Sequence, residues 1–545
     1  MGTVTAALRR FGSRPIGVLS VLAVVQMTAT VVFGVTVIQH NGWAYYHGGD
    51  QLWFSSYAAL LGDFRLPPAD VGFGWAFFLV PLIWLTGPSY VEALPPVAAL
   101  NILVLGPIAL VCVYAIGARI AGRLFGYFAA FLWITAPYLS IWVFVDRYQE
   151  RYIDNFLPQA LGLTMLADFP SMVALLAAAV FVLRAIDRRS SGDALVAGLI
   201  VGYAIGMKPS NGVFVTGVLL GYAVARRIRL AVVTLAAIMP GLTTLVIWKQ
   251  RGLGQLPLFA EPASVQAVGA WVSAVPGEDW FSRFVPLDWG HLWRQIELLH
   301  EFSDVAPLLE ALPLLGLLVL LVRREHAVTA LLAGWLGAFT LFKATATVAS
   351  IEAGSFFRLL MPAWPAYFLP VVAVGLTPAL LARRRARPAC PWDRPGLPSS
   401  VGAVAGIMTL AALAIVSFAR PVGGPEQAIL QKDGRITSVD PRIALRATRA
   451  NGVNSLSWEA PDYPARVYYV IYRGTPGQPT TACERRGVVR CTLRMFPLGH
   501  TRTTTFTDRR SFPGMTYRVG VGTSYDDDPL HGDVFLFSRP VVATG

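Results

Sequence analysis

Charge is what this sequence has least of. Of 545 residues only 14% are Asp, Glu, Lys or Arg, and 55% are hydrophobic, against about 25% charged in soluble domains. That shortage excludes a soluble enzyme and a disordered chain, and four cysteines at this length exclude a disulfide-stapled miniprotein. Lysine is scarcer still, occurring only at positions 208, 249, 343 and 432. No Walker A loop or GxGxxG turn stands between a strand and a helix, which argues against an ATP-driven pump. The net charge of +13 does not point to nucleic acid, because most arginines fall in short clusters between apolar runs.

Apolar runs of membrane-crossing length take the place of those features. Eleven spans are expected near 16–38, 94–117, 123–145, 170–186, 193–208, 210–225, 229–248, 305–322, 326–345, 357–381 and 399–418. With eleven, the clusters Arg9/Arg10/Arg14, Arg119/Arg123, Arg184/Arg188/Arg189, Arg226/Arg227/Arg229, Arg323/Arg324 and Arg383/Arg384/Arg385/Arg387 all fall on one side. The positive-inside rule makes that side the cytoplasm, giving a multi-pass plasma-membrane protein with a cytoplasmic N-terminus and an external C-terminus. The run Trp75 to Leu85 is too short to cross comfortably and reads as a juxtamembrane helix. The first apolar run is longer than a signal-peptide core, which favours a span over a cleaved leader.

The expected architecture is a polytopic α-helical membrane unit over 1–420, with external segments 39–93, 146–169 and 249–304. A linker over 421–435 leads to an external all-β sandwich over 436–545. Past Pro421 the pattern becomes apolar/polar alternation broken by turn residues, as in Val467 to Tyr472 and Tyr517 to Val521. SLSWEAPDYPARVYYVIYRG followed by FTDRRSFPGMTYRVGV resembles a fibronectin type III domain. The resemblance implies Trp458 as core tryptophan, Tyr468 and Tyr472 on its third strand, and Tyr517 as corner tyrosine. Cys483 and Cys491 flank ERRGVVR, a hairpin that a disulfide would close in an oxidising compartment; a pair of free buried thiols is the alternative.

The first external loop opens YYHGGDQLWFSSYAALLGD and runs into GFGWAFFLVPLIWLTG, which places Asp50 at the membrane surface. A carboxylate there is a functional candidate by default; capping the following helix is the structural alternative. Taken with a span ending in Arg119 and Arg123, Asp168 in MLADFPSM, Lys208 in MKP, and Arg358 in FFRLLMPAWP, this loop resembles the GT-C superfamily of membrane glycosyltransferases, including protein O-mannosyltransferases and aminoarabinose transferases. The resemblance covers about residues 10 to 385. It implies a polyprenyl-phosphate-linked sugar donor, a glycan, glycolipid or protein acceptor, Asp50 as catalytic base and Asp168 as a second acid. Relatives with two adjacent acids have a second carboxylate where this chain has Gln51; no cofactor is required by the residues, and a divalent metal stays open.

Such a reaction needs a base for the acceptor hydroxyl and cations for the departing phosphate. Lys208, Lys343 and Arg358 fall at external ends of spans and fit the second need, with snorkelling interface anchors as the alternative for Arg358. His47, Gln51, Asp154 and Trp289 are expected near the acceptor or sugar, although aromatic residues of 249–304 suit interface anchoring equally. His291 and His300 lie nine apart on a surface-lying helix and do not suggest a zinc site. The competing classes are a lipid or glycan transporter or flippase, disfavoured by the lack of internal repeats and mid-span charge, and a receptor or scaffold built on the β domain.

Overall fold

The computed structural model describes residues 15–38, 50–253 apart from 68, 70 and 87–89, 287–378 apart from 347, 348 and 353, and 397–544 apart from 422–428, 433, 434, 462–466, 475, 478, 487, 494, 510 and 524–532. In chain order the helices are α1 (Pro15–Phe33), α2 (Asp50–Gly62), α3 (Phe73–Thr86), α4 (Tyr90–Leu100), α5 (Gly106–Ala121), α6 (Arg123–Leu139), α7 (Asp146–Asn155), α8 (Leu157–Ala160) and α9 (Asp168–Arg188). They continue with α10 (Ser191–Met207), α11 (Phe214–Val224), α12 (Ile228–Leu253), α13 (Trp289–Phe302), α14 (Ala306–Val322), α15 (His326–Phe339), α16 (Ser355–Leu360), α17 (Trp364–Ala373) and α18 (Ser400–Phe418). A π-helical turn, Asn101–Leu105, joins α4 to α5, and another, Thr340–Ala344, extends α15.

The chain is a polytopic helical membrane protein with a strand-rich C-terminal domain. Among the described residues eight helices are long and apolar enough to cross a membrane, and the pair α13 and α14, bent by 115°, brings the number to nine. A helix stands at each of the eleven expected positions, but Ser191–Met207 and Pro209–Val224 are shorter than a full crossing. Phe73–Thr86 is short as well, in keeping with the juxtamembrane assignment.

The packing centres on α9, whose most apolar stretch is 94% buried. At 21 residues it is about 30 Å long, the thickness of a bilayer core. Without a hydrophobic drive inside lipid, helices approach through small residues. α10 and α12 cross at Gly202 and Gly241, where a Cβ on Gly241 would stand 2.3 Å from Gly202 O.

Strands β1 (Arg65–Leu66) and β2 (Arg420–Pro421) pair in parallel, joining the first loop to the chain just past α18. The remaining strands are β3 (Ile429–Lys432), β4 (Arg435–Val439), β5 (Ala444–Ala450), β6 (Val453–Glu459), β7 (Tyr468–Gly474), β8 (Thr481–Arg486), β9 (Val488–Leu493), β10 (Phe496–Thr501), β11 (Thr505–Asp508), β12 (Thr516–Thr523), β13 (Asp533–Phe537) and β14 (Val541–Val542). One sheet has the order β11-β6-β5; the other runs β10-β7-β12-β13-β4-β3-β9-β8, with β14 also on β12. Strand alternation divides the tyrosines of β7 between two faces. Tyr469 meets Trp458 edge-on at 5.3 Å in the core between the sheets, whereas Tyr472 packs with Met495 and Phe537 in a second cluster. The Tyr517 hydroxyl donates to Asp508 Oδ2 and accepts from Asn454 Nδ2, both at 2.8 Å. Cys483 and Cys491 are directly paired positions of the β8–β9 hairpin, and their side chains lie outside the described residues.

Candidate active site

Three segments grip the turn that precedes α9. Gln51, the second residue of α2, accepts at Oε1 from Met165 N at 2.6 Å, and Trp75 of α3 donates from Nε1 to Met165 O at 2.8 Å. Asn101 donates from Nδ2 to Gly162 O and Thr164 O, each at 3.1 Å. All three anchors are fully buried, where a hydrogen bond is worth about 1 kcal/mol and leaving a partner unmet costs more. Asp50 heads α2 beside Gln51, and Asp168 heads α9 three residues beyond Met165. The two acids are thus mounted on one hydrogen-bonded frame. The Asp50 side chain, all of His47 and the Asp154 side chain lie outside the described residues.

Asp168 does not act as a helix cap. The cap position is Ala167, and the buried Asp168 side chain forms an ion pair with Lys208 Nζ. Lys208 follows α10 in extended conformation and is held there by close backbone packing. A Cβ on Gly72 would lie 2.3 Å from Gly206 O, one on Gly206 would strike the Phe73 ring at 2.4 Å, and Tyr203 donates to Gly74 O at 2.8 Å. The Gly-Phe-Gly start of the juxtamembrane segment is therefore what sets the end of α10. Lys343, in the π-helical turn after α15, lies within electrostatic reach of both Lys208 and Asp168. One of the chain's four lysines thus pairs with a buried aspartate, and a second lies within electrostatic reach of that pair.

Arg358 is half-buried on α16, one turn before Met361–Ala363, which pack against α9. The turn leading into α16 is pinned from three sides: Tyr148 donates to Ile351 O, Gln295 Oε1 accepts from Ile351 N at 2.8 Å, and His291 Nε2 lies 2.7 Å from Ala349 O. Burial pushes the Tyr148 phenol above its ordinary pKa, so it stays a hydrogen-bond donor, and its ring stacks on Phe302 at 4.6 Å.

Of these framing residues only Gln51 is among the sequence-based candidates, there as an acceptor- or sugar-side residue; Trp75, Asn101, Tyr148 and Gln295 are not. On the amphipathic helix α7, Asp146 and Glu150 face outward while Tyr148 and Tyr152 are buried. The four-residue spacing of those tyrosines was the available signal. Trp289 and Trp293 are 58% and 63% exposed on α13, a shared outward face suited to an interface. His300 pairs with Glu310 at 3.0 Å. Among the described residues no group of three His, Cys, Asp or Glu side chains is placed to hold a metal.

The cluster of two ammonium groups and one carboxylate carries a net positive charge at one end of α9. Such a site can hold a phosphate and stabilise charge developing on it.

No family model matches the chain, and no curated protein matches it. Among solved structures it is similar to the Archaeoglobus fulgidus oligosaccharyltransferase in its apo form, at 13% identity and a TM-score of 0.37, covering 75% of this chain and 56% of that one. The same enzyme's complex with Zn and sulfate gives 14% identity and a TM-score of 0.43, over 74% and 53% of the two chains. The archaeal oligosaccharyltransferase AglB from Archaeoglobus fulgidus, with an inhibitory peptide and a dolichol-phosphate, gives 13% identity and a TM-score of 0.41, over 74% and 56%. The chain spans a little over half the length of those structures, and at these TM-scores the likeness assigns it no activity.

Proposed function

We propose that this chain is an inverting glycosyltransferase of the GT-C type that moves a sugar from a polyprenyl-phosphate donor to an extracytoplasmic hydroxyl. The observation supporting it most directly is the Lys208–Asp168 ion pair, with Lys343 in electrostatic reach, at the end of α9 that shares a frame with the Asp50 helix. The Asp50 carboxylate takes the proton of the acceptor hydroxyl, whose oxygen attacks the anomeric carbon. The bond from that carbon to the phosphate oxygen breaks, and polyprenyl phosphate leaves as an anion stabilised by Lys208, Lys343 and Arg358. In-line attack inverts the anomeric centre. No general acid is needed, because phosphate departs well without one.

Asp168 is assigned the orientation of Lys208, given their ion pair and its burial. Gln51, whose carbonyl oxygen is engaged by Met165, positions the Asp50 helix. His47, Asp154 and Trp289 are the acceptor-side candidates. Eleven spans, a cytoplasmic N-terminus, a plasma-membrane location, a fibronectin type III-like external domain and a Cys483–Cys491 disulfide complete the reading.

The test is transfer of radiolabelled sugar from a panel of polyprenyl-phosphate donors in membranes containing wild type or Asp50→Asn. A donor consumed by wild type alone supports the proposal and names the sugar. Consumption by neither, with folded protein and donors competent for a control enzyme, refutes it.

A further inference from the structure

Helix α13 presents three stripes at helical spacing. His291, Gln295 and Phe302 face the protein: the first two hold the turn at Ala349 and Ile351, and Phe302 stacks on Tyr148. Arg294, Glu297 and Glu301 form an exposed charged stripe, on which Glu301 pairs with Arg147 at 2.8 Å. The third stripe, opposite the first, carries Trp289, Trp293 and His300, all exposed. A helix with a charged side and an aromatic side is built for a boundary between water and lipid.

Two observations identify what covers the tryptophans. The axis of α13 is bent by 115° from that of α14, so it turns across the span instead of continuing it. His300, on the tryptophan stripe, bonds Glu310 of α14 at 3.0 Å. Glu310 heads a stripe of α14 that continues through Leu314 and Leu321, both exposed on a membrane-crossing helix and therefore facing lipid. A carboxylate on such a stripe is tolerated near the headgroups and with a partner, so the His300–Glu310 pair marks headgroup depth and turns the tryptophan stripe toward the bilayer. We propose that α13 is an interfacial strut: the headgroup layer that α14 enters is the partner of its Trp289/Trp293 face, and seating in that layer holds the turn 349–351 through His291 and Gln295 on the opposite face. Tryptophan suits the layer, with an apolar ring and a polar N–H. As an acceptor-side residue, Trp289 would meet its acceptor there. The proposal does not depend on the transferase reading.

The test uses the full chain reconstituted in phosphatidylcholine vesicles. Emission from Trp293 is isolated as wild type minus Trp293→Phe and is challenged with lipid brominated close to the headgroup and with iodide in the water. Bromolipid should quench it. Absence of that quenching would overturn the proposal, and iodide would then tell whether water or another protein surface, such as a second copy of the chain, covers the face. The second readout is amide exchange. Trp293→Asp, which puts a carboxylate into the headgroup layer, should speed exchange at Ile351, whose N–H bonds Gln295, by about tenfold, the scale of one lost hydrogen bond. Exchange in β12 should stay as in wild type. An unchanged rate at Ile351 would show that the membrane seat does not hold the turn and would overturn the strut. Where Trp293→Asp also speeds β12, the milder Trp293→Ala is read by the same two rates.

Discussion

At the Arg188 end of α9, Arg119 reaches Asp187 at 2.8 Å and Glu325 at 2.6 Å, while Arg184 pairs with Asp193 and donates to Leu397 O at 2.8 Å. At the Asp168 end, Lys208 pairs with the aspartate and Lys343 stands within electrostatic reach with no ion pair of its own among the described residues. Burial does not separate the two ends: the Arg184–Asp193 side chains are 8% and 9% exposed, and Asp168 is 5%. Stoichiometry does. Arg119 and Arg184 each have at least one acid of their own, and Arg184 a backbone carbonyl besides, which describes a clamp between helices. The second end retains uncompensated positive charge inside a low-dielectric setting, which makes sense if an anion is brought to it.

The sharpest way to break this comparison is at the base. Asp50→Asn should lower the transfer rate by about 10²–10⁴-fold and leave donor binding within about threefold, read from initial rates and from donor retention. A fall in binding equal to the fall in rate would remove Asp50 from catalysis. Next, Lys208→Gln and Lys343→Gln should each weaken donor binding by about ten- to a hundredfold, as loss of a charge-assisted contact to phosphate does. The paired change Asp168→Asn with Lys208→Gln should be less than additive, since the two groups act through one ion pair.

The opposite end should respond in stability alone. Asp193→Ala leaves the Arg184 cation buried, a loss of about 3–5 kcal/mol, read as a lower unfolding temperature with donor affinity unchanged. Altered donor affinity in that variant would mean the two ends are coupled. The smallest effect is expected in the sandwich, where Tyr517→Phe removes a hydroxyl bonded to Asp508 and Asn454. About 1–3 kcal/mol of local stability should disappear, seen as faster amide exchange in β6 and β12 of the full chain.

Much of this arrangement could be read from the residue pattern. Apolar run length placed a helix at every expected span, and the switch to alternation past Pro421 located the β domain. Scarcity helps too: with four lysines in the chain, Lys208 and Lys343 stand out as candidates from the sequence. Three things could not be read. Asp168 pairs with Lys208, forty residues away, and local sequence carries no information about such a partner. Gln51 looked like a departure from an acidic pair, whereas its carbonyl holds the turn in front of α9. The acids of α7 are more conspicuous than its tyrosines, yet the tyrosines are the buried side. In each case the deciding contact spans a long stretch of chain, and periodicity reports only which face is apolar.

The two-residue ladder between Arg65–Leu66 and Arg420–Pro421 has a consequence in time. The outer end of α12 holds the same neighbourhood: Trp248 donates to Val71 O at 2.9 Å and Arg251 to Ala419 O at 2.9 Å. During synthesis the Asp50 loop emerges early, but the strand that closes it is made only after the last helix has been threaded into the bilayer. Until then β1 lacks the partner it has in the folded chain, so a half-made chain carries the loop on an unfinished surface. The ladder thus couples closure of the first loop to insertion of the whole membrane unit.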